Sequence, residues 1–300
     1  MNTAELLKKY MPWNLVWIAS YPKSGNTWFR IFMANYLQNA NEPVNINHLS
    51  RYIEIMEAGK VATIRQFYGI NVSDLDFEEV DQCRSALYTH WKNQEKHMLL
   101  KTHDAYTYLS NNQPLLGDPI HQAAIYIIRN PLDIAVSYAH HFISSHNEIK
   151  NLNNSIAKIN SEDHTLCDDA TRFSFRVRRK LLSWSQHVIS WQKATLPTLI
   201  IRYEDMLLDT FNTFSKAIRF LGLPDEPKRI QRAIHFSSFA ILQQQEETSG
   251  YKEKNPRAKS FFRLGKSGGY REQLTEQQIQ LIIKIHENVM RQFSYLENKN

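Results

Sequence analysis

The 300-residue chain has only two cysteines, Cys83 and Cys167, far apart and in no C-x-x-C pair. This argues against a disulfide scaffold and a structural zinc site, and two free thiols fit a reducing cytosol. Long hydrophobic runs are also missing. The opening MNTAELLKKYMPW has no apolar stretch long enough for a signal peptide, and no later run could span a bilayer. A soluble, cytoplasmic protein without a membrane span is expected. No linker composition divides the chain, so one domain over residues 1–300 is expected, long enough to bury a substantial core. The formal charge of +6 suits an anionic ligand such as a nucleotide. Lysine and arginine are scattered, and no regular interleaving of bases with aromatics occurs, so nucleic acid is not an expected partner.

What the sequence does contain starts at the apolar run Leu15-Val16-Trp17-Ile18-Ala19, the loop Tyr21-Pro22-Lys23-Ser24-Gly25-Asn26-Thr27-Trp28 and the apolar segment that follows. The order reads as strand, loop, helix. Such a loop suits an anion, because amides at a helix start lack intrahelical partners and the helix dipole favours negative charge. Lys23 adds a full charge, Ser24 and Thr27 add hydroxyls, and Gly25 lets the backbone come close. The lysine precedes the glycine, so this is not the Walker A order. The helix after it carries too many apolar residues for one stripe and reads as mostly buried, leaving Arg30 and Asn35 to find polar partners.

Three further apolar runs end in chemically useful residues. Met98-Leu99-Leu100 leads to Lys101, Thr102 and His103. Ala123 to Ile128 leads to Arg129-Asn130-Pro131, with Pro131 at a helix start and Ser137 on that helix. Leu199-Ile200-Ile201 leads to Arg202, Tyr203, Glu204 and Asp205. In open α/β sheets ligands bind outside the carboxyl ends of parallel strands, so these residues are expected to share one crevice. Each has a plain alternative: a strand-end histidine satisfied by hydrogen bonds, an arginine in an ion pair, a core tyrosine.

The Tyr-Pro-Lys-Ser-Gly loop closely resembles the 5′-phosphosulfate loop of cytosolic-type sulfotransferases, which use 3′-phosphoadenosine 5′-phosphosulfate (PAPS). Lys101-Thr102-His103 resembles the family's Lys-Thr-His element, Arg129 with Ser137 its 3′-phosphate element, and Tyr203-Glu204-Asp205 its Tyr-Glu-Asp strand end. Ser237-Ser238-Phe239 is similar to its Thr-Ser-Phe element, with serine for threonine. Phe261 to Tyr270 resembles its Arg-Lys-Gly-x-x-Gly-Asp-Trp loop. There the spacing from Arg263 through Gly265 to Gly268 holds, while Leu264 replaces lysine and Gly269-Tyr270 replace Asp-Trp, with Lys266 placed to supply the displaced charge.

The resemblance covers nearly the whole chain and implies α/β architecture with a mostly parallel central sheet flanked by helices, a P-loop-like sulfotransferase fold. It implies PAPS as co-substrate, no required metal, and a small-molecule acceptor with a hydroxyl, an amine being the lesser choice. Lys23 is implied on the bridging oxygen, with Ser24, Gly25, Asn26, Thr27 and Trp28 around the 5′ side. His103 is implied as the base and Lys101 as a partner of the transferring charge. Arg129, Ser137, Arg263, Leu264 and Gly265 are implied around the 3′-phosphate, and Tyr203 and Ser237 beside the nucleotide. A P-loop-type kinase and a non-catalytic nucleotide binder are the alternatives; the missing Gly-Lys-Ser/Thr order opposes the first, and Lys23 with His103 opposes the second.

Other stretches carry weaker expectations. Ala58 to Val72 reads as loop or broken helix near a pocket mouth, and residues 144–170 as an aperiodic excursion. Residues 172–191 read as helix with a solvated basic face at Arg176, Arg178, Arg179 and Lys180. Leu207 to Leu223 reads as one helix stopping at Gly222, Gln243 to Lys259 as a polar lid, and Leu274 to Met290 as a final helix. Met56, Phe67, Tyr68, Tyr106, Tyr108 and Phe142 are candidates for an apolar acceptor pocket or for core. The final helix has no clear form of the dimer motif found in many relatives, so the oligomeric state is open.

Overall fold

The computed structural model describes residues 2–51, 61–94, 97–141, 147–167 and 178–296. Its elements begin with α1 (Thr3–Tyr10), β1 (Leu15–Ser20), α2 (Asn26–Gln38), α3 (Val61–Tyr68) and α4 (Phe77–Lys92). Then come β2 (Met98–Thr102), β3 (Gln122–Ile128), α5 (Pro131–His141), α6 (Glu148–Asn160), β4 (Thr165–Cys167) and β5 (Arg178–Lys180). The chain continues through α7 (Trp184–Gln192), β6 (Thr198–Arg202), α8 (Tyr203–Leu208), α9 (Thr210–Phe220), α10 (Pro227–Phe236), α11 (Phe239–Ser249) and α12 (Glu276–Gln292). Among the described residues no helix is long and apolar enough to cross a membrane.

The four apolar runs form one sheet in the order β2-β1-β3-β6, parallel throughout. Alternate side chains enter two separate core layers. Leu15, Trp17, Leu100, Ala124 and Tyr126 pack with helices α4, α5, α7 and α12, whereas Val16, Ile18, Leu99, Ile125 and Ile127 pack with α2, α9 and α10. Burial on both faces is why these strands read as continuous apolar runs rather than as alternating ones. Register then places the functional ends together. Ala19 lies opposite Thr102, Ser20 opposite Ile127 and Ile128 opposite Arg202, so Ser20, His103, Arg129 and Tyr203 leave the sheet at the same edge.

Several expectations are corrected. Residues 148–160 are helix: Asn147 caps α6 by accepting from the Lys150 amide, and Ile156 and Ile159 enter the core on a face that also buries Asn151 and Ser155. Buried polar side chains on that face hid its periodicity. Among the described residues of the helix expected over 172–191, helix runs from Trp184, capped by Ser183, and Arg178–Lys180 form a strand antiparallel to β4. The basic cluster there is solvated only in part: Arg178 is exposed with its guanidinium over the Phe77 ring, whereas Arg179 is buried and Lys180 pairs with Asp81. Phe175 and Arg176 lie outside the described residues, as do Met56 and Phe142. The helix expected over 207–223 is broken at Asp209 (φ −136°, ψ 63°) into α8 and α9. The first part of the expected lid is ordered helix α11, and only the residues after Gly250 form an irregular segment.

A second internal pair of anchors fixes the strand end that bears His103. Arg84 of α4, almost wholly buried, donates to Asp81 at 2.9 Å and to Asp104 at 2.5 Å, and its Nη1 also donates to the Arg178 carbonyl. The other Asp104 oxygen accepts from the Lys180 amide, and its carbonyl accepts from Trp191. Removing one member of a buried ion pair leaves the others uncompensated, a loss of about 3–5 kcal/mol. Arg84→Met is therefore expected to lower unfolding free energy by about that amount, measured by urea denaturation; a change below about 1 kcal/mol would mean that the two carboxylates are neutralised in other ways.

Candidate active site

The loop between β1 and α2 turns through two left-handed residues, Lys23 (φ 69°) and Gly25 (φ 99°). The glycine is required twice over. Its φ suits no side chain well, and a Cβ there would come within 2.6 Å of the Tyr203 ring. Lys23 holds a conformation that costs a non-glycine residue about 1–3 kcal/mol, a strain typical of residues fixed for a task. Gly25 stands at the N-cap of α2, so the cap residue itself offers no side-chain hydrogen bond to the start of that helix. The loop is tied down from behind by Asn26, whose amide nitrogen donates to the Ile18 carbonyl at 2.9 Å and to the Ser20 hydroxyl at 3.3 Å. The Ser24 hydroxyl is buried and finds no hydrogen-bond partner among the described residues.

Arg129 joins this loop to a second one. Its Nη1 donates to the Lys23 carbonyl at 2.9 Å and its Nη2 to the Lys266 carbonyl at 3.2 Å, while the guanidinium carbon sits 4.2 Å from the Tyr203 ring centre. Its Nε is buried without a partner. The second loop is held against α5 by Asp133, which accepts from the Gly268 amide at 2.7 Å and the Tyr270 amide at 3.2 Å. Gly265, with φ 58°, packs flat on Phe239. Arg263 is half-buried and its pKa is lowered by burial and by Arg129, so the two arginines lie close in one field.

His103 follows β2. Its Nδ1 is 2.8 Å from the Ser20 carbonyl, an atom that can only accept, so Nδ1 carries the proton and Nε2 is left as the basic atom. Burial, Lys101 and Arg179 hold its pKa well below 6.5, which keeps the ring neutral at pH 7. Behind it, Tyr126 donates to Nδ1 of His187, and Nε2 of His187 donates to the His103 carbonyl at 3.1 Å. Both ends of His103 are thereby fixed.

Lys23 lies with its ammonium 4.3 Å from the Phe261 ring centre. Burial is the main reason its pKa falls to about 7, with Arg129, Lys101 and Arg263 pushing the same way and Glu253 opposing. A lysine so placed takes up a proton when an anion arrives. His141, at the end of α5, shares the field: burial, Lys23 and Lys101 lower its pKa to about 3.

The sequence-expected residues are not all arranged as expected. Lys23, Lys101, Arg129 and Arg263 form one electrostatic cluster. Thr27 accepts from Arg30, and Trp28 donates to the Ser237 carbonyl, so these two side chains serve the protein's own contacts. The Ser237 hydroxyl donates back into its own helix, to the Ala233 and Ile234 carbonyls, and is buried, which leaves it unsuited to a nucleotide in this arrangement. Leu264 is 44 % exposed. Ser137 is half-buried on α5, beyond Asp133. Among the pocket candidates, Tyr106 is core against Trp191, and Phe67 and Tyr108 are exposed. The Tyr68 hydroxyl is bonded to the Cys83 carbonyl. The sequence reading missed Asp133, His187, Arg84 with Asp104, and Glu253; only Arg30, a charge inside an apolar helix, was a visible signal.

A family model for the sulfotransferase domain matches residues 14–294. The chain belongs to the sulfotransferase family. It is 26 % identical over 291 residues to flavonol 3-sulfotransferase of Flaveria bidentis, with 91 % of this chain and 80 % of that one covered. It is 24 % identical over 283 residues to luciferin sulfotransferase of Photinus pyralis, with coverage of 90 % and 69 %. Among solved structures, retinol dehydratase in complex with androsterone and the inactive cofactor PAP matches with a TM-score of 0.62 at 18 % identity, over 96 % of this chain and 84 % of that one. A mouse sulfotransferase complexed with PAP matches with a TM-score of 0.56 at 19 % identity, over 99 % and 94 %. Sulfuryl transfer with PAPS as donor follows from the family. The residues fit such a donor: an uncapped helix start, a buried unbonded Ser24 hydroxyl, a buried unbonded Arg129 Nε and a surplus of positive charge around Lys23.

Gly25→Ala is expected to lower stability by about 1–2 kcal/mol from the left-handed backbone alone, more with the Tyr203 clash, and to abolish the thermal shift produced by PAP. A normal thermal shift in this variant would show that the loop has room to spare. The lowered Lys23 pKa gives a second expectation, in proton linkage. At pH 8 the free lysine is mostly neutral and becomes charged when the anion binds, so PAP binding takes up protons and weakens as pH rises above about 7. Calorimetry in buffers of different ionisation enthalpy measures this uptake; zero uptake at pH 8 would mean a lysine already charged.

Proposed function

We propose that this protein transfers a sulfuryl group from PAPS to the hydroxyl of a small-molecule acceptor, with His103 as general base. The observation that carries the reading is the bond from His103 Nδ1 to the Ser20 carbonyl, which leaves Nε2 unprotonated at the sheet edge shared with Lys101 and Lys23. PAPS supplies an activated sulfuryl group on a phosphate that leaves as a good anion. Lys23 stabilises the charge growing on that phosphate as the S–O bond breaks and its electron pair passes to oxygen. His103 takes the acceptor's proton as the new S–O bond forms. Lys101 holds the oxygens of the group in flight, and positioning plus charge neutralisation supply most of the rate, as in phosphoryl transfer.

Arg129 and Arg263 hold the 3′-phosphate, with Ser137 on the same side, and Asp133 keeps the loop that carries Gly265 and Gly268 in place. The Ser24 hydroxyl and the α2 amides hold the 5′-phosphate. Relatives named for a flavonol, luciferin and a 3-beta-hydroxysteroid support a small acceptor with a hydroxyl. We read the chain as one domain working in the cytoplasm.

Calorimetric titration with PAP, AMP and ATP tests the donor site: binding should require the 3′-phosphate, and a preference for ATP would overturn the reading. His103→Ala should lower turnover by about 10² to 10⁴-fold while PAP still binds; retained turnover would remove the base assignment. Arg129→Ala should weaken PAP far more than the analogue without a 3′-phosphate, and equal losses on both would move that contact elsewhere.

A further inference from the structure

The irregular segment after α11 places a carboxylate among the site's cations. Lys252 and Gly250 are tied to Asn47, whose Oδ1 accepts from the Lys252 amide at 2.8 Å and whose Nδ2 donates to the Gly250 carbonyl at 2.9 Å. At the far end Glu246 accepts from the amides of Phe261 and Phe262. Between these anchors the Glu253 side chain, 35 % exposed, reaches two cations. Both of its oxygens accept from Nη2 of Arg30, at 3.0 and 2.9 Å, and Oε2 lies 3.4 Å from the Lys101 ammonium. Arg30 has no exposed surface, so its charge needs a counter-charge from the protein. Burial opposes ionisation of Glu253, but Arg30 and Lys101 outweigh it and hold its pKa well below the usual carboxylate range.

Arg30 alone would account for a carboxylate, but not for its reach to Lys101. Lys101 is the lysine assigned above to the sulfuryl oxygens, and the inference rests on that assignment. We propose that Glu253 holds the place of the sulfuryl group at Lys101, and so sets how strongly the site prefers the desulfated product over the donor. With PAP bound, Lys101 keeps its contact with Glu253. With PAPS bound, the same ammonium is shared between two anions, so its hold on the sulfuryl oxygens is weaker than Lys101 alone would give. Once the sulfur has passed to the acceptor oxygen, the acceptor proton to His103, and the sulfated product has left, Glu253 regains Lys101. The donor therefore binds less tightly, relative to PAP, than it would without the carboxylate.

The test compares PAP with PAPS by calorimetry, without any acceptor, in the full-length protein. In Glu253→Gln the affinity ratio of PAPS to PAP should rise by about tenfold, the scale of one nearby charge in a partly dry site. Because that variant leaves Arg30 without its counter-charge, the double variant Arg30→Gln/Glu253→Gln is measured beside it. The ratio should rise in both. A third variant, Lys101→Met/Glu253→Gln, should show the same ratio as Lys101→Met alone, because the carboxylate acts through that ammonium. An unchanged ratio in the first two variants overturns the proposal, as does a rise confined to Glu253→Gln, which would trace it to the bare Arg30. Failure of the wild-type protein to bind PAP would instead overturn the function proposed above.

Discussion

One guanidinium ties the two glycine loops together. Arg129 leaves the central strand β3 and donates to the Lys23 carbonyl of the first anion loop and to the Lys266 carbonyl of the last, while stacking on Tyr203 from the neighbouring strand end. Segments 106 residues before and 137 residues after Arg129 thus share one cation. The sheet order contributes to this. With β3 between β1 and β6, its exit lies between the Lys23 loop and Tyr203. Because the positive charges of Lys23, Lys101, Arg129 and Arg263 mutually repel, the site is under electrostatic tension that an anion relieves.

The catalytic edge is stiffened from beneath by buried polar groups rather than by apolar packing alone. Tyr126, His187 and the His103 carbonyl form one directed chain of hydrogen bonds, and Arg84 with Asp104 forms another just past the same strand end. Directed bonds fix a ring's orientation and tautomer, which non-directional hydrophobic contact does not. For His103 the backbone is held by these chains and the ring by the Ser20 carbonyl, so one particular nitrogen is presented. Buried charges of this kind add little net stability over apolar replacements, but removing a single partner is costly, so each network behaves as a unit.

The segment from Tyr251 to Phe261 brings the opposite sign into this positive field. Phe261 lies against Lys23 and His141, and Glu253 against Arg30 and Lys101. Lys252 is exposed and Lys254 half-buried, and the Glu253 side chain, 35 % exposed, nonetheless reaches both Arg30 and Lys101. Arg30 could be seen as a charge needing a partner as soon as its helix was recognised as buried, yet nothing in the spacing of 223 residues identified Glu253 as that partner.

The sequence by itself determined the four buried strands, the loop at Lys23 to Thr27 and the convergence of Lys101, His103, Arg129 and Tyr203 at strand ends. Those features depend on local order and on the period of apolar residues. It did not reveal helix α6, whose inward face mixes Ile156 and Ile159 with Asn151 and Ser155, or the break between α8 and α9, where one residue changes conformation without glycine or proline. Nor did it show that the Ser237 hydroxyl and the Trp28 indole are spent on backbone carbonyls. Which nitrogen of His103 is bare, which carbonyls Arg129 binds and which carboxylate meets Arg30 were decided only by tertiary structure. Hydrogen bonds and ion pairs act over a few ångströms, and which atoms come that close is a property of the packed chain rather than of residue spacing.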